Sequence, residues 1–352
     1  MVRWFQGTGG ALQGILERYP TVNMDQSTNA YSDMMDETRA PDPAGLCFAH
    51  LSDPHLTTLR GVHWQQLMNK RVLGYLSWLH KRRKEHRSEV LDALLRDLHQ
   101  VHPGHIVVTG DLTHLGLPAE FTQARAWLER LGSAGQVTVV PGNHDAYIRT
   151  PWSATFAQWE PYMVSDDRAG AVQQSLFPSL RVRNGVALIG LSSATASAPF
   201  FATGALGLEQ RRRLTALLQK TGAQGLFRVV LLHHPPRVED EKWRKRLTDG
   251  NDLCRILGRE GAELVLHGHS HRPVESGIPW GERTIPVFGI PSASAIGHKP
   301  GRRAQYYLYS VARAGDCWSL DIAVRGYRLD SDDFALQHEH HLSLPVISST
   351  SS

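Results

Sequence analysis

Apolar and polar positions fall along this chain in blocks of two kinds. Continuous apolar, β-branched runs occur at 46–52 (LCFAHLS), 105–110 (HIVVTG), 136–140 (QVTVV), 227–232 (FRVVLL) and 262–267 (AELVLH). Runs this short, apolar on both faces, read as buried strands. Between them the apolar residues recur at helical spacing. Val90, Leu91, Leu94, Leu95 and Leu98 line one face of 88–101, and 118–132 opens on Pro118 and closes at Gly132. Further helices are expected at 207–220 and 251–260. Strand, helix, strand, helix, strand implies a parallel sheet with right-handed crossovers. Residues 180–191 (LRVRNGVALIGL) read as a hairpin turned at Asn184-Gly185, and TIPVFGI, QYYLYSVA and CWSLDIAV as antiparallel strands. The pattern predicts an α/β domain over 45–330. Residues 1–44, poor in apolar periodicity, read as a loosely attached arm, and 331–352 as a tail ending in a disordered SLPVISSTSS.

The strand ends carry the chemistry. The first run is followed by Asp53 and His55, the second by Asp111, and the third by Asn143, His144 and Asp145. The fourth is followed by His233 and His234, the last by His269 and His271. The carboxyl ends of strands form the ligand crevice of an open α/β sheet, so these groups should converge. Carboxylates, an amide oxygen and imidazoles without a thiolate suit Mn²⁺, Fe or Zn²⁺, and argue against an iron–sulfur or structural zinc site. The donors exceed what one ion takes up. With one shared carboxylate they would serve two ions about 3.5–4 Å apart, an arrangement used for displacement at phosphorus.

Asp53-Pro54-His55, Gly110-Asp111, Gly142-Asn143-His144-Asp145, His233-His234-Pro235 and Gly268-His269-Ser270-His271 together resemble the calcineurin-like metallophosphoesterase superfamily. The resemblance covers about 46–300. It implies a four-layer α-β-β-α sandwich with two mixed sheets and a dimetal site at the C-terminal ends of strands. It implies that Asp53, His55, Asp111 and His271 hold one divalent ion. Asp111, Asn143, His233 and His269 would hold the other, Asp111 bridging and Mn²⁺ favoured over Fe or Zn²⁺. The family's spacing selects His233 rather than His234. His144 would contact the phosphate and is a candidate proton donor to the leaving oxygen, with Asp145 orienting and charging it. The ions would activate water for in-line attack at phosphorus.

Composition bounds the rest. The chain has 352 residues, 41% of them hydrophobic, with no apolar run long enough to span a bilayer. Its first residues lack an apolar export signal, and Cys47, Cys254 and Cys317 form no CxxC pair, so a cytoplasmic protein is expected. The net charge is +4, with basic clusters at 81–87, 211–213 and 242–246 that suit anionic ligands or an anionic surface. The segment 62–87 places Trp64, Leu67, Met68, Val72, Tyr75, Leu76 and Leu79 on one helical face, with Trp78 at its edge, Arg71 interrupting it and Gly74 weakening the helix. Such a face beside the cations Lys81 to Lys84 fits either an interfacial helix at an anionic membrane or a helix packed on the domain.

NKRVLGYLSWLHKRRKE, followed by VVTGDLT and VVPGNHDAY, resembles the chlamydial-type UDP-2,3-diacylglucosamine pyrophosphatases. That likeness implies a lipid-nucleotide substrate cleaved to lipid X and UMP at the cytoplasmic face of the membrane. The inserted segment would then cover acyl chains, with Arg71, Arg82 and Arg237 as candidates for holding the diphosphate. HHPP and GIPSASA also resemble soluble phosphodiesterases acting on cyclic nucleotides, for which 62–87 would be a packed cap or dimer contact. A non-catalytic metal-binding scaffold is a minor reading, opposed by the complete ligand set and by His144. No interleaved aromatic stripe beyond 62–87 supports nucleic-acid binding.

Overall fold

A computed structural model describes residues 45–56, 59, 62–167, 176–299 and 301–346. The arm expected at 1–44 and the end of the expected tail lie outside the described residues. Two six-stranded mixed sheets face each other. One contains β1 (Gly45–Leu51), β2 (His105–Val108), β3 (Val137–Val139), β10 (Gln305–Ala314), β11 (Cys317–Arg328) and β12 (Asp333–Pro345), in the order β12-β11-β10-β1-β2-β3. The other contains β4 (Ser179–Arg183), β5 (Val186–Gly190), β6 (Phe227–Leu231), β7 (Leu264–His267), β8 (Val274–Trp280) and β9 (Arg283–Gly289), in the order β4-β5-β6-β7-β9-β8. Strands β1, β2 and β3 pair in parallel, as do β5, β6, β7 and β9.

Phe48, Val107, Leu188, Val229, Leu266 and Tyr309 fill the space between the sheets. The apolar faces of α2 (Ser88–Val101) and α3 (Pro118–Leu131) cover the first sheet, where Leu94, Phe121 and Leu128 meet Leu51 and Val108. On the second sheet, α4 (Leu208–Ala223) and α5 (Gly250–Glu260) bring Leu214, Leu218, Leu253 and Leu257 against Val230 and Val265. The result is the four-layer α-β-β-α sandwich. Runs apolar on both faces had to be central strands, because both sides of each are covered. No described helix is long and apolar enough to cross a membrane, and all three cysteines are free.

Three assignments change. The boundary at 330 falls too early, because Asp333–Pro345 is a strand paired along β11. Its mid-strand residues, Gln337 to Glu339 among them, are exposed, as an edge strand permits. TIPVFGI lies in the second sheet, parallel to β7, rather than with the terminal antiparallel strands. Its antiparallel partner β8 went unpredicted because Gly277 and Pro279 interrupt it, and both are tolerated at a sheet edge.

Strand β8 also carries a pH-sensitive group. Burial lifts the Glu275 carboxyl to about 7, against roughly 4.3 in an unfolded chain. The folded state therefore favours the protonated acid, and stability falls as pH rises through that window. Glu275→Gln is expected to raise the melting temperature more at pH 8 than at pH 5. An equal shift at both would mean that burial of the charge is not the cause.

The segment 62–87 is not one helix. A 3₁₀ turn at Trp64–Leu67 leads to α1 (Arg71–Ser77), a wide π-type turn at Trp78–Arg82 and a last turn at Arg83–Glu85. The predicted face accordingly divides. Trp78 is buried, with Leu67, Tyr75 and Leu79 packed beside it against Leu59, Leu115 and Leu117. Trp64, Met68, Val72 and Leu76 are exposed. Gly74 is what lets α1 lie this close, since a Cβ there would collide with Leu115 and Tyr147.

Candidate active site

The turns after β1, β2, β3, β6 and β7 meet at one end of the sandwich. Their backbones are shaped for function at some cost. Asp53, His55, Asp111, His269 and His271 all have left-handed φ, between 43° and 67°. Each such non-glycine residue costs roughly 1–3 kcal/mol and persists only where its surroundings over-determine it. Here the loops hold one another. Asp53 N–H donates to the Gly110 carbonyl (3.0 Å), His55 N–H to the Asp111 carbonyl (3.1 Å) and His269 N–H to Asp53 Oδ2 (3.0 Å). Gly142 passes so near Asp111 that any side chain would be driven into its carboxylate.

The side chains form two donor groups. Asp53, His55, Asp111 and His271 make one, and Asp111, His233 and His269 the other, with ligand atoms within 4.8 Å of one another in each. Asp111 belongs to both. His271 Nε2 lies 3.0 Å from Asp53 Oδ1 and 3.4 Å from His55 Nε2. His233 Nε2 lies 3.3 Å from Asp111 Oδ2 and 3.1 Å from Asn143 Oδ1, and His269 Nδ1 is 3.3 Å from His233 Nε2. His55 donates through Nδ1 to the Thr113 carbonyl (3.0 Å) and His233 through Nδ1 to the Thr109 carbonyl (2.7 Å). Each Nε2 is thereby turned inward toward the other donors, the orientation metal-binding histidines need.

These residues fit divalent cations. His269 Nε2 is buried without a hydrogen-bond partner among the described residues. Imidazole nitrogens converge at 3.3–3.4 Å beside two buried carboxylates, a mixed nitrogen and oxygen donor set, and no thiolate is present to favour a softer ion. His233 lies in the cluster, whereas His234 is held by Ser193 Oγ at Nδ1 (2.7 Å) and the Ala202 carbonyl at Nε2 (3.2 Å).

The electrostatics reflect the crowding. Against the opposing pull of burial, Asp111 raises the His233 imidazole to about 9, and His233 in turn holds Asp111 well below the usual carboxylate range. Burial, and then the Arg82 charge, depress His144 to about 3. Burial and the neighbouring Asp111 carboxylate push Asp145 up to about 7, although donated N–H groups oppose the shift.

Three expected roles are corrected by this geometry. Asp145 does not touch the His144 ring. Its carboxylate accepts N–H groups from Asp111, Thr113 and Gly142, each at 2.9 Å, so it shapes the turns. The His144 ring is oriented by the His114 carbonyl, 2.7 Å from Nδ1, leaving Nε2 to accept from Arg82 Nη1 at 2.8 Å. Its charged neighbour is a cation, so its surroundings keep it neutral. Arg71 is spent on structure, donating Nε–H to the Leu115 carbonyl (2.9 Å) and Nη2–H to the Gly116 carbonyl (2.5 Å). Arg237 lies on the Gly277 carbonyl (3.0 Å) and beside Glu239, directed at β8. Of the three candidate arginines, Arg82 alone reaches the donor cluster.

Two histidines in the site escaped sequence reasoning. His114 stacks on His55 with ring centroids 4.9 Å apart, and His86 lies 4.5 Å from the same ring. His114, three residues beyond Asp111, could have been suspected from proximity. His86 stood hidden in a run of surface-type charge, and helical periodicity carries no information about a residue just past a helix end.

A family model for calcineurin-like phosphoesterases matches residues 47–273. A probable cyclic nucleotide phosphodiesterase from Synechococcus is 27% identical over 183 residues, 51% of this chain and 62% of that protein. The chain thus spans a little under two thirds of this relative's length. The crystal structure of a dimetal phosphatase from Danio rerio is similar with a TM-score of 0.56 at 11% identity, covering 86% of this chain and 100% of that one. This likeness concerns the fold.

Proposed function

The chain belongs to the calcineurin-like phosphoesterase family, and from that premise we propose that it is a two-metal hydrolase that cleaves the pyrophosphate of a lipid nucleotide such as UDP-2,3-diacylglucosamine. Asp53, His55, Asp111 and His271 would hold one divalent ion, and Asp111, Asn143, His233 and His269 the other, with Mn²⁺ as the proposed metal. When bound, the ions would neutralise charge at phosphorus and lower the pKa of the attacking water. The chain's own residues do the rest. Arg82 brings a fixed cation beside the donor cluster, suited to a non-bridging phosphate oxygen. His144, held through Nδ1 by the His114 carbonyl, turns Nε2 to the same place. Asp145 fixes the turns that carry Asp111 and Asn143.

The observation that carries the substrate reading is the divided insertion. Its inner side delivers Arg82 to the site, while Trp64 and Met68, about 70% exposed, lead an outward apolar row. Lys70 ties this segment to the Ser197 and Phe201 carbonyls (2.9 and 3.4 Å), next to the exposed Phe200. Apolar surface next to an anion-binding site suits a substrate with acyl chains on a phosphate, taken from a membrane surface to which Lys81, Arg83 and Lys84 add charge. A second reading, a phosphodiesterase for cyclic nucleotides or similar small diesters, is supported by the Synechococcus relative. Hydrolysis with Mn²⁺ of UDP-2,3-diacylglucosamine, cyclic AMP and bis(p-nitrophenyl) phosphate separates the two. Release of UMP is the expected result. Turnover confined to the small diesters would keep the hydrolase and overturn the lipid-nucleotide reading.

A further inference from the structure

We propose that His86, delivered by the 62–87 segment, is an additional ligand of the ion held by Asp53, His55, Asp111 and His271. This rests on the two-metal reading. The ligand-capable nitrogens of His55, His86 and His271 lie within 4.8 Å of one another, so His86 shares two partners with that donor group. The rings converge: His86 is 4.5 Å from His55 and 5.6 Å from His271, centroid to centroid.

Like His55 and His233, it is held at Nδ1. His86 Nδ1 lies 2.8 Å from Ser294 Oγ and 3.3 Å from Ser292 Oγ. The hydroxyl contact engages Nδ1; when Ser294 Oγ accepts from Nδ1–H, as the Thr113 and Thr109 carbonyls do for His55 and His233, Nε2 is left for a ligand. The backbone is pinned as well. His86 forms a bridge with Ala295, Arg87 N–H donates to the Ser294 carbonyl (3.0 Å) and Ile296 N–H to the Glu85 carbonyl (3.0 Å). A surface histidine needs no such fixing from both sides. A ligand held within tenths of an ångström does. With His86 the first ion is richer in nitrogen than the second, which favours Fe, Co²⁺ or Zn²⁺ there over Mg²⁺.

The test is metal binding, read without turnover. Chelator competition and the visible absorption of Co²⁺-loaded protein are measured for the wild type, His86→Ala and His86→Gln. The wild type is expected to hold two ions per chain. Both variants should release one of them at least about tenfold more readily and show an altered cobalt spectrum. Wild-type affinity and an unchanged spectrum in the variants would overturn the proposal, even where KM or kcat changes, because His86 would then face the substrate. If His86→Ala does not fold, the His86→Gln titration decides alone. A wild type that binds fewer than two ions would sink the two-metal reading itself, a result distinct from either.

Discussion

Asp111→Asn is expected to lower phosphodiester hydrolysis at least about a thousandfold, the equivalent of roughly 4 kcal/mol of transition-state stabilisation. Metal content should fall below two ions per chain. The argument is positional. Asp111 is the residue common to both donor groups, so both lose a negative donor at once. The substitution is also mild in every other respect. The Asp111 main chain still donates to Asp145 Oδ2 (2.9 Å), and an amide oxygen can still accept the His144 N–H, 2.7 Å from Oδ1. The turn should therefore keep its shape, which circular dichroism and melting would check. Full activity, or two tightly held ions in the variant, would show that the site lies elsewhere.

Glu263→Ala is expected to cost about 3–5 kcal/mol of stability while leaving kcat unchanged below the melting range. Arg228 and Glu263 form a buried ion pair, with side chains 3% and 4% exposed and Nη2 2.8 Å from Oε1. Arg228 also lies under Trp280, 5.4 Å from its ring centroid. Removing the carboxylate strands a guanidinium where water cannot reach it. The pair joins the starts of β6 and β7, and the donor cluster stands at their ends, so stability and catalysis should separate. A paired replacement, Arg228→Met with Glu263→Leu, should recover most of the loss, since apolar side chains leave no unpaired charge. Urea denaturation of the wild type and the two variants measures this. A single variant as stable as the wild type would mean that the pair is solvated.

These two residues also show how unevenly the sequence speaks. Asp111 was legible because Gly-Asp follows a buried apolar run, and strand-end chemistry is local in sequence. The parallel strands and their covering helices were legible for the same reason, since α2 and α3 show their core faces as helical periodicity, whereas the two-sheet sandwich came only as an implication of the family resemblance. Arg228 was not, because one arginine inside FRVVLL looks like noise until Glu263 is seen across the ladder. Strands β8 and β12 were missed because edges need no continuous apolar run. Arg71 and Arg237 misled, since charge alone cannot tell a cation aimed at a ligand from one spent on carbonyls. His86 was invisible because its neighbours in space, His55 and Ser294, lie 31 and 208 positions away in the chain.

The bridge between His86 and Ala295 has a consequence for how such proteins diversify. An inserted segment at a domain surface is ordinarily a module that can be exchanged without disturbing the chemistry beneath it. This one is stitched at its far end to the loop after β9 and sends Arg82 to His144. Transplanting it between relatives would carry across, with the outer surface, the residues that contact His144 and His55. The exposed apolar row and the His144 contact of Arg82 therefore travel as one piece.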